Sequence, residues 1–423
     1  MSTLRRLWFI RDVRNSLLFV FSILVFFRIA AHIPVPGIDS SAMSSLFNNN
    51  DFFGLLNIFS GGTLENFSVV ALGVAPYITA SIIFQLLGMI LPKMEEMQKE
   101  EAGRQKINQY TRYLTVPLAL MQAYSMLLLL QRQAGASLWK EGDFFTILLA
   151  MISMTAGTIF LMWMGELISE RKVGNGISII IFAGIVAGLP GFLRQVFAVY
   201  DYTQLVTLLL FLGVTIVTII GVVIMNEAQR HVPVQYARQV RGSHLSGGVS
   251  SHIPLRLNMG GVIPIIFAIS FILIPTTFAQ FFVNARTEWL QTAAVWLSQV
   301  FQNQLVYGIV YFILVFAFSY FYTAVIFHPD QMAENLQKHG GFIPGIRPGK
   351  NTADYLHDVV NRLLLTGAIF ISVIAVLPLA VQQLTGTANM VIGGTSILIV
   401  VSVIIDSVKQ VESQLTMHEY EIS

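Results

Sequence analysis

Cysteine and charge are the two features that this sequence has least of. Its 423 residues include no cysteine, which excludes a disulfide framework, a thiolate nucleophile and a cysteine-based metal site. Charged residues make up only 11% of the chain, against roughly 25% in ordinary soluble domains. Hydrophobic residues make up 55%, and the mean hydropathy is +0.68. This balance excludes a soluble core with a polar surface and predicts an all-α protein that crosses a membrane several times.

The sequence contains ten long apolar stretches with few charged residues. A helix that spans a bilayer needs about 20 mostly apolar residues, and we predict one such helix in each stretch. Segments 1 to 10 are 17–35, 68–91, 114–130, 144–165, 177–189, 205–225, 259–279, 305–327, 363–379 and 391–406. No small-residue cleavage site follows the basic N-terminal residues, so we expect no cleavable signal peptide.

The distribution of lysine and arginine predicts how the segments are oriented. If the N-terminus is inside, the inner connections hold 20 of these residues and the outer connections hold four. Such an excess is typical of the cytoplasmic side. We therefore predict that both termini face the cytoplasm, and that the long inner loops 226–256 and 328–358 dock a cytosolic partner.

Ionisable side chains are missing from the predicted midplane of the membrane. Arg28 and His32 lie in the outer part of segment 1, where snorkelling to the headgroups accounts for them. Glu166 and Asp406 fall at predicted cytoplasmic ends, where we expect water. This pattern argues against an ion-coupled carrier, whose transport chemistry needs buried charge. No central Ser/His or Asp pair supports an intramembrane protease either.

The stretch 345–351 (GIRPGKN) looks faintly like a phosphate-binding loop but fails as one. The pattern GxxxxGK[ST] needs glycine where Pro344 stands and serine or threonine where Asn351 stands. We therefore expect no nucleotide binding, no cofactor and no enzymatic activity. Any energy from nucleotide hydrolysis must come from another protein.

One phrase, Gly-Val-x-Pro-x-Ile-x-Ala, occurs at 73–80 and again at 261–268. Proline-interrupted membrane segments at matching positions of two halves indicate a binding site or pore at the repeat interface. The phrase aligns Ile78 with Ile266. Ile78 and Ile82 share a helix face, as do Ile177 and Ile181. These isoleucines, with Ile399 after Gly394, can form a ring, or they can be ordinary lipid and packing contacts.

The stretch 47–67, between segments 1 and 2, is too apolar for a plain loop. It contains no lysine or arginine, Gly61 and Gly62 interrupt it, and it is too short to cross twice. We predict a re-entrant segment, because irregular backbone at membrane depth is tolerated where it lines a protein-walled cavity. An external loop packed on the bundle would also fit.

Several stretches occur together in a recognisable order: 33–39 (IPVPGID), 59–62 (FSGG), 71–73 (ALG), 76–78 (PYI), 80–83 (ASII), 174–184 (GNGISIIIFAG), 258–259 (NM), 261–264 (GVIP), 344–349 (PGIRPG) and 393–396 (GGTS). Through them the chain resembles the SecY family, the pore subunits of the bacterial protein-conducting channel, over essentially its whole length. The resemblance implies ten transmembrane helices in two inverted five-helix halves, 1–190 and 191–423, related by a pseudo-two-fold axis. It also implies location in the bacterial cytoplasmic membrane.

The resemblance further implies the parts of a channel. A ring of aliphatic side chains would form the constriction: Ile78, Ile82, Ile177, Ile181, Ile266 and Ile399. A plug at about 57–67 would lie below it, with Asn57, Ile58, Phe59, Ser60, Gly61, Gly62, Thr63 and Leu64. Segments 2 and 3 would part from segments 7 and 8 as a lateral gate for signal sequences and nascent transmembrane segments.

Polar residues along that gate could bond across it: Thr79, Ser81, Gln85, Gln122 and Asn258. Thr79 and Ser81 could equally bond their own helix backbone. The implied partners are SecE, SecG, the ATPase SecA and the ribosome, the last two docking on Arg347, Arg238, Arg241 and Arg256. The loop tip 242–254 is thinly charged, and the acidic tail after Lys409 is expected to make no contact.

Other classes remain open on composition. A secondary transporter shares inverted repeats and broken helices, but should show midplane charges or a compact polar pocket. An intramembrane enzyme lacks its central catalytic pair here, and a membrane scaffold without a pore needs no special residues.

Overall fold

The computed structural model describes residues 10–37, 67–134, 144–198, 205–236, 239–241, 244–246, 250–282, 287–385 and 392–422. These ranges are mostly helical, with five short strands. The helices are α1 Arg11–Ala30, α2 Ala75–Ile90, α3 Pro92–Lys99, α4 Glu101–Ala134, α5 Phe144–Glu170, α6 Gly176–Ala198, α7 Leu205–Glu227, α8 Ile263–Phe282, α9 Glu288–Gln302, α10 Gln304–Ile326, α11 Pro329–Lys338, α12 Lys350–Thr385 and α13 Ile392–Ile422. The strands are β1 Gln229–Tyr236, β2 Gln239–Arg241, β3 His244–Ser246, β4 Ser250–Arg256 and β5 Gly341–Phe342.

Each predicted segment overlaps one helix. In chain order these helices are α1, α2, α4, α5, α6, α7, α8, α10, α12 and α13. Within the described ranges, four helical stretches are long and apolar enough to span a membrane by length and composition, and the bent pair α2–α3 would make a fifth. The four are Arg11–Ala30, Phe144–Glu170, Leu305–Lys338 and Lys350–Leu377. That all ten cross the bilayer stays a prediction.

Several predicted segment ends were wrong. Residues 68–74 form turns rather than helix, and α2 begins only at Ala75. At its other end, α2 stops at Ile90. Leu91 is extended, with φ −103° and ψ 112°, and Pro92 follows it. Proline disfavours helical backbone in the residue before it. The chain therefore bends by 113° between α2 and α3.

The repeated phrase has the same backbone in both places. Gly73 and Gly261 each have φ +58°, a left-handed conformation that favours glycine. The helix begins two residues later, with proline at its second position, where a missing N–H costs little. Ile78 and Ile266 are then both the fourth residue of their helices. The repeat thus puts Ile78 and Ile266 at equivalent positions of α2 and α8.

The helices can be divided by chain order into two groups, which meet at two joints. Each of α1, α2, α4, α5 and α6 contacts at least one other helix of the first group, and each of α7, α8, α10, α12 and α13 contacts at least one other of the second. At one joint α8 packs against α2 and α4; at the other α13 packs against α6 and α1. Residue 190, the predicted end of the first half, lies inside α6 rather than in a loop.

The two long loops form a small sheet, which the all-α prediction missed. β1 pairs antiparallel with β4 over 229–235 and 250–256, and β5 adds to the other edge of β1. Val232 and Val234 alternate inward and pack with Leu255, Leu336 and Leu356. The period-2 alternation in 232–234 and 253–255, with a turn-rich stretch between, was the available signal. The two loops therefore make one structure.

The acidic tail also departs from expectation. It continues α13 as helix to Ile422, and Val411 and Leu415 are buried in the main apolar cluster. Gln414 Nε2 donates to the carbonyl oxygens of Arg171 (3.3 Å) and Lys172 (2.8 Å). The prediction of no contact was wrong because the i, i+4 apolar pair was hidden among acidic residues.

Candidate functional site

The six isoleucines of the predicted ring all belong to the main apolar cluster or pack against it. Exposure is 7% for Ile78, 1% for Ile82, 3% for Ile181, 5% for Ile266 and 1% for Ile399. All five belong to a single apolar cluster, and Ile177 is partly buried against it. They come from α2, α6, α8 and α13, so both groups of helices contribute. The structure thus buries five of the six in one large apolar cluster; their arrangement as a ring and their role as a constriction stay predictions.

Glycines let the helices around this region approach closely. A Cβ on Gly165 of α5 would lie 2.6 Å from Ile177 Cδ1, so that side chain packs directly on the glycine. A Cβ on Gly176, at the start of α6, would collide with the Gly165 carbonyl oxygen. Ser169 Oγ accepts from the Gly176 N–H at 2.9 Å and fixes this turn. The position of Ile177 and Ile181 is therefore set by backbone contact.

The region is apolar, and its chemistry is limited by that. The cluster consists of aliphatic and aromatic residues from both helix groups. No grouping of three or more His, Cys, Asp or Glu side chains that could hold a metal occurs within the described ranges. Such a surface can exclude water and slide past other side chains.

The plug residues 57–64 lie outside the described residues. Only the end of that stretch is described, at Phe67, which is buried with φ +42°. The Phe67 carbonyl accepts from the Val35 N–H at 2.9 Å, and the Val69 N–H donates to the Ile33 carbonyl at 2.9 Å. Phe67 and Val69 are thereby tied to Val35 and Ile33.

The predicted gate residues bond within their own half. Thr79 Oγ1 donates to the Ala75 carbonyl at 3.0 Å, as the backbone alternative foresaw. Gln85 Nε2 donates to Ser81 Oγ at 3.0 Å, one turn away on the same helix. Buried Gln85 Oε1 has no partner, and Gln122 on α4 is half-buried. None of these bonds joins α2 to α8.

Asn258 lies in a polar network that sequence reasoning missed. Its Nδ2 donates to Asn226 Oδ1 at 2.8 Å and to the Gly261 carbonyl at 3.1 Å. Buried Asn226 Nδ2 in turn donates to Ser402 Oγ at 2.8 Å. Lys409 Nζ donates to the Asn226 carbonyl at 3.1 Å and pairs with Glu227 at 2.8 Å. The network ties α7 and α13 to the turn that starts α8.

Arg347 is exposed at the tip of the loop after β5. Gly345 (φ +83°) and Gly349 (φ +98°) make the turns on either side, and Thr352 Oγ1 donates to the Arg347 carbonyl at 3.0 Å. Arg256 ends β4 and is exposed, and Arg241 ends β2. Arg238 lies outside the described residues. Nearby on α11, the hydrogen bond from Lys338 and then its charge lower the pKa of Glu334.

Comparison with known proteins agrees with this architecture. A family model described as SecY matches residues 68–408. The chain is 43% identical over 422 residues to the protein translocase subunit SecY of Bacillus licheniformis, covering 97% of this chain and 96% of that one. It is 42% identical over 423 residues to the same subunit of Bacillus subtilis strain 168, with 97% and 96% covered.

Solved structures show the same fold at lower identity. A protein-conducting channel is similar with a TM-score of 0.64 at 18% identity, covering 94% of this chain and 91% of that one. Sec61 in a canine ribosome–channel complex is similar with a TM-score of 0.60 at 17% identity, with 94% and 91% covered. Given the family match over 68–408 and 43% identity across nearly its whole length, the chain belongs to the SecY family.

Proposed function

We propose that this chain is the central subunit of a protein-conducting channel. It passes unfolded polypeptides across the cytoplasmic membrane and releases transmembrane segments into lipid. The observation that carries the proposal is the burial of isoleucines from both helix groups in one apolar cluster. The relatives' name, protein translocase subunit, supports the same function. The chain supplies no catalysis and binds no nucleotide.

A constriction lined by aliphatic side chains suits a pore for polypeptides. It has no preferred side-chain partner, so every substrate residue can pass. Hydrophobic constrictions gate by excluding water, which blocks ions while the channel is idle. Rotamer changes and small helix shifts widen the constriction around a moving chain. In this proposal the six isoleucines form the seal, and the stretch 57–67 forms a plug below it.

Replacing Ile82 and Ile181 with serine should raise the resting ion conductance of the complex in planar bilayers. Both side chains are at most 3% exposed and come from different helices, α2 and α6. Two hydroxyls at the constriction would hold water and weaken the dewetted seal. Single-channel recording without substrate measures the effect.

The matched control is Ile313→Ser on α10, whose side chain is 57% exposed on the outside of the bundle. That variant should leave the conductance at the wild-type level. If the double variant also conducts no more than wild type, the isoleucines are not the seal.

A lateral gate would open where α8 meets α2 and α4. Membrane hydrogen bonds are worth about 0.6–2 kcal/mol each, which suits a seam that must part. The hydrogen bonds of Thr79, Gln85 and Asn258 do not join α2 to α8. Opening the seam therefore leaves these bonds intact. In this proposal the ten helices form two inverted halves, 1–190 and 191–423, with both termini cytoplasmic.

Energy for export comes from partners that dock on the β1–β4–β5 sheet and the adjoining loop. The small subunits SecE and SecG complete the channel, while SecA or a ribosome binds the cytoplasmic side. Support comes from related channels solved with ribosomes, canine Sec61 and yeast Ssh1. Exposed arginines on rigid loops are good anchors for acidic or phosphate groups. Arg347 is the best placed of them.

Arg347→Glu should lower ATPase-driven export into membrane vesicles by roughly tenfold or more, equal to about 1.4 kcal/mol of lost docking. The side chain is exposed, so folding and membrane insertion should be unchanged. Export of a preprotein into inverted vesicles is the measurement. Arg104→Glu makes the same charge change at an exposed position of α4 and serves as the control. This variant should support normal export. Normal export by Arg347→Glu would remove the docking assignment.

A further inference from the structure

Helix α9 has three distinct faces. Glu288–Gln302 is amphipathic and packs against α8 and α10. One face holds Ala294, which is buried, and Phe301, which packs on the main apolar cluster. A second face is polar and includes exposed Gln291 and Gln299. A third face, between these two, is neither buried nor polar.

That third face is an exposed stripe with two indole rings. Trp289 is 68% exposed and Trp296 is 62% exposed. They are seven residues apart, two helical turns or about 10 Å, and so lie on the same side. Exposed Ala293 lies between them along the helix axis and on the same side, four residues from Trp289 and three from Trp296. Burying two large aromatic side chains releases free energy, which the protein does not gain while both rings stand in water.

The position of α9 relative to a membrane helix shows what covers the stripe. A single residue, Asn303, separates α9 from α10, and its side chain caps α10 by accepting from the Leu305 N–H at 3.1 Å. α10 then exposes Leu305, Ile309 and Ile313 at 57%, 53% and 57%, spaced four residues apart. These residues make an exposed apolar row on a helix that is long and apolar enough to span a membrane. α9 therefore lies at the level where a membrane span begins.

We propose that the Trp289–Trp296 stripe of α9 is seated in the headgroup layer, and that this is the outer leaflet, which rests on the orientation proposed above. Tryptophan concentrates at membrane–water boundaries, where an apolar ring with one N–H fits best. An amphipathic helix in this plane buries its apolar face by about 5–10 Å. α9 contains no lysine or arginine, so it binds through apolar area and does not select anionic lipids. It anchors the outer end of α8, the gate helix, at a fixed depth.

The test uses the chain with its partner subunits in nanodiscs of zwitterionic phosphatidylcholine. The chain has five tryptophans; replacing the other four with phenylalanine leaves Trp289 or Trp296 as the single emitter. Bromine on the upper part of the acyl chains should quench the emission of each more strongly than bromine deep in the chains, because such a helix inserts its apolar face by only about 5–10 Å. Trp163, 53% exposed on α5, serves as a lipid-quenched reference.

Aqueous iodide quenching without lipid quenching would overturn the proposal, since the stripe would then stand in water. Quenching by neither probe would also overturn it, because a protein would then cover the stripe. Cysteine labelling gives a second test, since the chain has no cysteine of its own. Ala293→Cys should resist a water-soluble maleimide in nanodiscs, whereas Gln291→Cys, equally exposed in the structure, should react fast. Equal labelling of both would contradict seating in lipid.

Discussion

Asn226 joins three parts of the C-terminal helices through hydrogen bonds of its side chain and its carbonyl. Its amide is buried and joins Ser402 on α13 to Asn258 before α8. Asn226→Ala should lower the free energy of unfolding by about 1–3 kcal/mol, since buried partners are left unsatisfied. A double-mutant cycle with Ser402→Ala should give a coupling of about 0.6–1.7 kcal/mol, as for other membrane hydrogen bonds. Unfolding in detergent by denaturant measures both quantities.

Thr218→Ala on the same helix is the control for that cycle. Thr218 is also buried, but its hydroxyl donates only to the Val214 carbonyl of its own helix. It should show no coupling with Ser402. Coupling of Asn226 with Ser402 as small as that of Thr218 would mean that the network contributes nothing to holding α7 and α13 together.

At this scale the sequence predicted the apolar residues better than the polar ones. The isoleucines were found because a repeated phrase aligned Ile78 with Ile266. Asn226 had no such signal, because its partners are 32 and 176 positions away. A lone asparagine near the end of an apolar stretch says nothing about which helix it meets. Asn258 was foreseen as polar and important, but its partners were not foreseen.

Among the elements, the two turns that start α2 and α8 carry the clearest prediction. Gly73→Ala and Gly261→Ala should each destabilise the protein by about 1–2 kcal/mol, because φ +58° brings Cβ too near the next carbonyl. At position 261 the added Cβ would also lie 3.0 Å from Asp406 Oδ2. Thermal unfolding of the purified complex in detergent is the measurement.

Gly213→Ala is the matched control for these turns. Gly213 lies inside α7, and a Cβ there would meet nothing within 4 Å. Alanine is the better helix former by about 1 kcal/mol, so this variant should be neutral or slightly more stable. If Gly73→Ala is equally harmless, the left-handed turn does not set the start of α2.

Hydropathy located the helices because ten apolar stretches stand out from a chain with few charges. It could not locate their ends, which depend on local backbone: φ +58° at Gly73 delays α2, and Pro92 stops it. The strands were missed for a different reason. β1 and β4 are stabilised by Leu336 and Leu356, which lie on α11 and α12 far along the sequence.

At the scale of the whole molecule, the two joints between the helix groups should behave differently. The joint of α8 with α2 and α4 contains the proposed gate. The joint of α13 with α6 and α1 is reinforced where Gln414 bonds the Arg171 and Lys172 carbonyls and Val411 and Leu415 are buried. A bundle that opens on one side keeps its other side closed as a hinge, so only one joint has to move.

Cross-linking can separate the two roles, because the chain has no native cysteine. One cysteine on α2 between 79 and 85, joined to one on α8 between 266 and 270, should block membrane insertion of a signal-bearing substrate. Lys172→Cys joined to Gln414→Cys, at the other joint, should leave insertion unchanged. Reducing the first cross-link should restore it. A bundle whose halves separate as rigid bodies would instead be blocked by either link, and one that expands without parting would be blocked by neither.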